Sequence, residues 1–571
     1  MTSTLHSRRS FLAAATATAA TLAGCSGTRY SDRYSPGERV SLTVSAPPAD
    51  DDRAATTLGR QLTDRLSAVG VDATFAPKAQ SQLYLDALIN HDFDVFVGRH
   101  PHLGHPDALY PLLHSSFAPE SGWQNPFGVA SPELDQTLEA LRAGDSENEL
   151  GDVLDAYAQR VPFTVVAAPE FLTARRADRP AEAGTTTERP LAVLGQLAAA
   201  DLDRPLRAGI FSAALTENRN PIAGEFRWNR QLLGLLYDPL ARPAWDGESL
   251  LPWAAESWRF DGDDLLVTLR SDQRFHDGTP VTATDVAFTM EFLSDTSMGE
   301  ASSPVPATRF RGRTSLVASA TELNRDTVRL SLKRGLDEGS AERVLSLPIL
   351  PASEWRDKSE LVDDRVTRAL VWENRQPVGS GPLAFESAVE RESVTLTPYE
   401  DHFLTDVDAV NLARYAPALE TEGIVARYAP SGEDAIEALE AGRLDTSLHQ
   451  FPLHAFDGVA DAEGVESVTA PSTELCIVGY NTRRAPLSDF HFRTVLSRLH
   501  DREHAASSVF EGFATATDMP VVAQWDVESI DEDDHSLGPF PGSGGELDVE
   551  RARELFREAG YTYDDDGNLY R

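Results

Sequence analysis

Between Val40 and Gly98 the apolar pattern changes period four times. Val40 to Ala46 alternates like a strand, "AATTLGRQLTDRLSAVG" repeats like a helix and stops at Gly70, and "VDATFAP" alternates again. "QLYLDALIN" then reads as a second helix and "DFDVFVG" as a third strand. Strands alternating with helices in this way need crossover connections, which build a partly parallel sheet covered by helices. The expected class is therefore α/β. The same pattern continues downstream. "SPELDQTLEALRAG" predicts a helix with Ser131 as candidate N-cap, Pro132 at the first position and Gly144 at the stop, and "VPFTVVAAPEF" predicts a strand. Residues 177–205, rich in Pro, Thr, Glu and Ala, read as a linker with one short helix before a second α/β stretch. A chain of 571 residues exceeds what one hydrophobic core supports, so two or more domains are expected.

Charge narrows the partners. Ninety acidic residues against fifty-one basic ones leave a net charge of −39. Lysine occurs only at Lys78, Lys333 and Lys358, so nearly all cations are arginines. Such a surface repels nucleic acid and anionic headgroups, and no nucleic-acid partner is expected. Apolar periodic segments throughout argue against a disordered acidic chain. The acidity reads as adaptation to high salt, where counterions screen self-repulsion to within ~3 Å at molar strength, and it resembles that of proteins from salt-loving archaea. The two cysteines, Cys25 and Cys476, fit no zinc spacing, and their positions argue against a disulfide.

"SRRSFLAAATATAATLAGC" has the layout of an export signal: a basic start at Arg8 and Arg9, then an apolar run too short for the ~20 residues of a bilayer span. Ser7, Arg8, Arg9, Phe11 and Leu12 resemble a twin-arginine signal, which exports folded proteins. Leu22-Ala23-Gly24-Cys25 resembles a lipobox, which implies lipidation of Cys25 and attachment to the outer face of the membrane. A polar tether follows.

One segment is specific for a family. "LYDPL", "LPWAAESW" and "VTLRSDQRFHDGTPVTATDVAFTMEF", within 232–293, follow in order and spacing the signature of the extracytoplasmic solute-binding proteins of the peptide/nickel class. "VTLR" reads as a strand, "HDGTP" as a turn bent at Gly278 with Asp277 as a structural turn residue, and "TATDV" as a helix start with Thr284 as candidate cap. "QPVGSGPLAFES", "IEALEAGRLDTS" and "LCIVGYNTRRAPLSDFHFRTVLSRLHDRE" resemble further stretches of that family. The resemblance implies two α/β lobes closing on a ligand in the cleft between them, ABC permease subunits as partners, a peptide or peptide-like solute, no cofactor and no catalysis. No His-Glu-x-x-His, Gly-x-Ser-x-Gly or Walker loop occurs. An exported hydrolase using scattered carboxylates is the enzyme alternative, and a receptor that presents solute to a signalling partner is another.

The order of the segments departs from the family. The chain ends with a helix, "DVERARELFREAG", and a turn, "DDDGN", that in the family is followed by a strand and a helix. That continuation, "RVSLTVSA" onward, stands at the start of the mature chain, and the late second-lobe segments follow it. A circular permutation is inferred. Its expected partition is 1–25 signal, 26–37 tether, 38–176 second part of lobe two, 177–205 linker joining the ancestral termini, 206–460 lobe one with its accessory subdomain, and 461–571 first part of lobe two. A long acidic Gly/Pro-rich loop is expected over 523–547.

The resemblance also places the cleft. From lobe one it implies Leu215, Thr216, Glu217, Asn218, Gly379, Ser380 and Phe385. From lobe two it implies Asn481, Arg99, His100 and His102, with Trp123 and Asn125 beyond them. Dipeptide binders carry Gly-Trp-x-Gly-Asp where this chain reads "GRHPHLG". His102 stands where the amine-neutralising carboxylate would be and Arg99 where the Trp would be, so a free amine would lack its partner and an anionic group would suit Arg99. His100, His102 and His105 open a second possibility, binding of nickel or a metal–chelator complex, since imidazoles ligate such ions.

Overall fold

A computed structural model describes residues 37–100, 103–144, 149–179, 189–223, 230–244, 249–363, 365–407, 409–523, 525 and 535–571. The export signal, Cys25, most of the tether and His102 lie outside these.

The strand Phe163–Arg176 organises the molecule. It is 14 residues long and buried along most of its length. Its first half pairs antiparallel with Leu475–Tyr480, in register Gly479 to Phe163. Its second half pairs antiparallel with Val465–Pro471, in register Val465 to Arg176. One continuous pair of crossing segments therefore belongs to two sheet regions at once.

On one side, Leu475–Tyr480 pairs with Val95–His100, which pairs in parallel with Ser41–Ala46, which pairs in parallel with Asp72–Pro77. The helix Arg53–Ala68 makes the first crossover. Asp52 caps it, accepting from Ala55 N. On the other side, Leu206–Ile210 lies parallel to both Ile424–Tyr428 and Thr446–Ser447, and the hairpin Leu383–Val389/Ser393–Pro398 extends the edge. A separate four-stranded antiparallel sheet runs in the order Val317–Asn324, Thr327–Leu332, Asp264–Leu269, Ala255–Asp261.

Two apolar cores follow this division. One joins residues 40–167 with 475–569, from both ends of the chain. The other joins residues 191–448 and includes the four-stranded sheet. A smaller cluster around Leu172, Ala174 and Phe451 sits by the crossing strand. The fold is a mixed α/β, two-lobed periplasmic-binding-protein-like fold.

Several local expectations meet the structure directly. Ser131 accepts from Leu134 N, and Gly144 takes φ 64° at the end of Pro132–Ala143. Asp277 Oδ1 accepts from Thr279 N in the "HDGTP" turn. Others change. The helix Ala283–Ser294 starts two residues earlier than expected. Thr282 is its cap, with Thr282 N donating to Asp285 Oδ2 at 3.0 Å, while Thr284 Oγ1 turns outward to Glu322. The 177–205 linker does carry the one short helix expected there, and that helix is part of a core. Pro190–Ala199 is a helix whose Leu191, Leu194 and Leu197 are buried in the second core. The acidic 523–547 stretch contains a two-residue hairpin, Gly542–Ser543 with Glu546–Leu547. At the chain end, Leu569–Tyr570 pairs with Thr562–Tyr563, and the backbone then meets the start of the first strand: Val40 N donates to Leu569 O at 2.9 Å. Among the described residues no helix is long and apolar enough to cross a membrane.

Candidate functional site

The lobes face each other across a cavity of about 490 Å³, within the usual range for small-ligand pockets. Lobe two supplies His100, His105 and Trp123; the opposite wall supplies Tyr237, Arg313 and Arg343. The helix at Pro190–Ala199 adds Pro190 and Leu191, and the turn between the crossing strands adds Pro471 and Thr473. The loop carrying His105 is pinned to that turn, because Leu103 N donates to Thr473 O at 2.8 Å. Trp525 Nε1 holds the same loop by donating to Leu103 O at 2.6 Å. The His100 ring stands edge-on to Trp123, centroids 4.6 Å apart.

The two walls also touch. Arg311 forms a two-pronged pair with Glu120, both bonds 2.8 Å. Gln124 Nε2 donates to Thr308 O at 2.8 Å, and Asp337 N to Arg142 O at 2.7 Å. Asp107, 1% exposed, accepts from both Arg142 of its own lobe and Arg343 of the other. Gly312 lets these elements approach: a Cβ there would lie 2.8 Å from Pro111 Cγ. These contacts join the two walls of the cavity in this structure.

Of the residues expected at the cleft, His100, His105 and Trp123 line it. Burial, helped by Arg343, pushes the His105 imidazole down to about 3, so it is neutral. The others do different work. Arg99 is not waiting for an anion. It pairs with Asp52 at 2.7 Å and Glu474 at 3.7 Å, and these carboxylates outweigh burial and hold its pKa above the ordinary value. Asn125 Nδ2 donates to Leu113 O, His114 O and Val129 O while its Oδ1 accepts from Gly128 N and Val129 N, so it ties a loop together. Asn481 Nδ2 donates to His91 O and Phe93 O. Asn218 Oδ1 accepts from Asn220 N and Asn374 N. Thr216 Oγ1 accepts from Arg391 N, and Leu215 is core. Glu217, half-buried, ends the short helix Ala214–Glu217 and is not among the lining residues. Gly379 packs its α-carbon against Leu236 O, where a Cβ would sit at 1.9 Å. The neighbouring Ser380 is wholly buried, and the Phe385 ring carries the Arg219 guanidinium at 4.5 Å. These family-specified positions shape the walls rather than the lining. Among the described residues, no group of three His, Cys, Asp or Glu side chains is placed to hold a metal ion, and Cys476 is free and buried.

What the motifs did not disclose is the arginine lining: Arg189, Arg242, Arg309, Arg313 and Arg343. A signal existed in "TRFRGRT", which sets three arginines at alternate positions in one short turn.

The model of "Bacterial extracellular solute-binding proteins, family 5 Middle" matches residues 249–570. A putative ABC transporter peptide-binding protein of Brucella ovis is 22% identical over 348 residues, covering 60% of this chain and 58% of its own length. The oligopeptide-binding protein AppA of Bacillus subtilis is 24% identical over 258 residues, covering 44% of this chain and 42% of its own. The solved structure of that AppA with a nonapeptide aligns with TM-score 0.46 at 19% identity, over 64% of this chain and 67% of the other. The chain thus spans about three-fifths of the Brucella relative it matches.

Proposed function

The chain belongs to family 5 of the bacterial extracellular solute-binding proteins, a family of binding proteins rather than enzymes, and from that premise we propose that it captures a peptide-like solute outside the cell and delivers it to ABC permease subunits by cleft closure. One observation carries the reading: a cavity of about 490 Å³ is walled by both lobes, and the lobes are joined through the strand Phe163–Arg176 and its partners Val465–Pro471 and Leu475–Tyr480. A ligand that touches both walls favours the closed state by its differential contacts, which is the signal a permease can read. The relatives named for peptide binding point the same way.

The finer features of the reading are an exported chain anchored by lipid on Cys25, a surface adapted to molar salt, and a permuted order in which 38–176 and 461–571 together build lobe two. The last is supported by the core that joins residues 40–167 to 475–569 and by the contact of Val40 with Leu569.

Thermal melting in molar KCl tests the function. Short peptides, peptides with blocked amines, and nickel with and without chelators are added singly. A ligand at ~100 times its dissociation constant adds ~2.7 kcal/mol. A shift with peptides is the expected outcome. A shift with nickel or a chelate alone would replace the peptide reading by the metal one, and no shift with any of them would remove both.

A further inference from the structure

We propose that the solute taken by this cleft is anionic, carrying two or more carboxylates or equivalent groups, and that Arg313 and Arg343 receive them. The inference rests on the solute-binding reading and names its ligand class. Among the described lining residues stand five arginines and one carboxylate, Glu342. Glu342 is itself engaged, accepting from Trp258 Nε1 at 2.7 Å.

Arg313 is the clearest case. Its Nη1 donates to Ser346 O at 3.0 Å and Ser346 Oγ at 2.7 Å, both neutral oxygens, and the guanidinium lies 5.1 Å from the Phe310 ring centroid. It makes no ion pair with a carboxylate among the described residues. Arg343 has a carboxylate, but a shared one. Asp107 serves Arg142 as well, so two cations face one anion at the cavity wall. Arg242 is matched by Asp238 at 3.0 Å, which leaves the excess at the 313/343 side. Burial lowers the pKa of Arg313 to about 10, the mark of a cation lacking local compensation, yet it remains charged at neutral pH. An under-compensated, desolvated guanidinium favours an anion that can accept its free donors in pairs.

The rest of the molecule sharpens this choice. The net charge of −39 repels anions at long range. In molar salt that field dies within ~3 Å, so contact-range charge inside the cavity decides which solute is held. A cationic or free-amine group would meet arginines, and the neutral His105 offers it no anion.

The test compares two peptides by titration calorimetry on the mature chain in molar KCl: N-acetyl-Glu-Glu, and its uncharged isostere N-acetyl-Gln-Gln-amide. The acidic peptide is expected to bind at least about ten-fold more tightly, because its carboxylates accept charge-assisted bonds that the neutral amides do not offer. Arg313→Gln is expected to erase most of that preference, weakening the acidic peptide by a larger factor than the neutral one, and Arg313→Lys to restore part of it. Equal or tighter binding of the neutral peptide overturns the inference and leaves the peptide-binding reading standing. Binding of neither peptide overturns both. The ratio between the two peptides in the unaltered chain decides the matter even if Arg313→Gln does not fold.

Discussion

Burial pushes the Glu354 carboxyl up to about 7 against the pull of nearby Lys358, and its Oε2 finds no hydrogen-bond partner among the described residues. In the unfolded chain the group titrates at its ordinary value of 4.5. Between these values the folded state binds the proton and the unfolded state does not. Stability from this residue is therefore full below about pH 4.5 and is lost as pH rises toward about 7. Glu354→Gln removes the penalty. It is expected to raise stability by about 1–3 kcal/mol near pH 8, less than the full shift implies because the side chain is only half-buried, and to change little near pH 4. Melting curves of both proteins at the two pH values check this; an equal effect at both would assign the change to packing instead. Arg99 and Asn481 show the opposite situation. Both looked like ligand contacts, and both are fully used inside the protein, by Asp52 and Glu474 in one case and by two backbone carbonyls in the other.

At the scale of elements, the wall built from 308–313 and 337–343 presses on the wall built from 107–142. The Arg311–Glu120 pair is about one-quarter exposed on each side, so it contributes on the order of 0.5–1 kcal/mol to closure and is screened by salt. Glu120→Gln is expected to raise the open fraction of the unliganded protein, read as a larger radius of gyration in solution scattering, with ligand restoring the closed value. An unchanged radius would mean that the buried Asp107 triad alone sets closure. These elements also show what the sequence could and could not disclose. Alternation and capping located Ser41–Ala46, Pro132–Ala143 and the start of Phe163–Arg176, because local physics determines them. The full length of that last strand was hidden, since its second half pairs with residues almost three hundred positions away. Thr284 was mistaken for the cap because Thr282 earns its place only through Asp285, a reciprocal contact that a single-position preference does not register. The short helix in the 177–205 linker was legible, but not its burial: Pro190–Ala199 is covered by partners elsewhere, with Pro190 seated where a Cβ on Gly234 would come within 2.3 Å. The arginine lining escaped for the same reason: it assembles from positions 189, 242, 309, 313 and 343, and their convergence is a tertiary fact.

The whole molecule puts the two ends of its described chain side by side. Gly37 N donates to Arg571 O at 3.1 Å, Val40 N to Leu569 O at 2.9 Å, and Leu569 N to Gly70 O at 2.8 Å. Residues from both ends share one core. If the order of segments is a permutation of the family's, connectivity at this junction is incidental to the fold and the contacts across it are what matter. A variant that joins Arg571 to Gly37 through two or three glycines, and opens the chain within 180–188, then presents the unpermuted order. Such a junction adds no long loop, so its entropic effect is small. The variant is expected to melt cooperatively within about 2 kcal/mol of the present chain and to bind the same peptide with unchanged affinity. Both readings come from one calorimetric scan with and without ligand. Loss of the cooperative transition would show that the present order is required for folding. A cooperative transition with lost binding would instead place an essential role on the connection at 180–188, beside the helix whose Pro190 and Leu191 line the cleft.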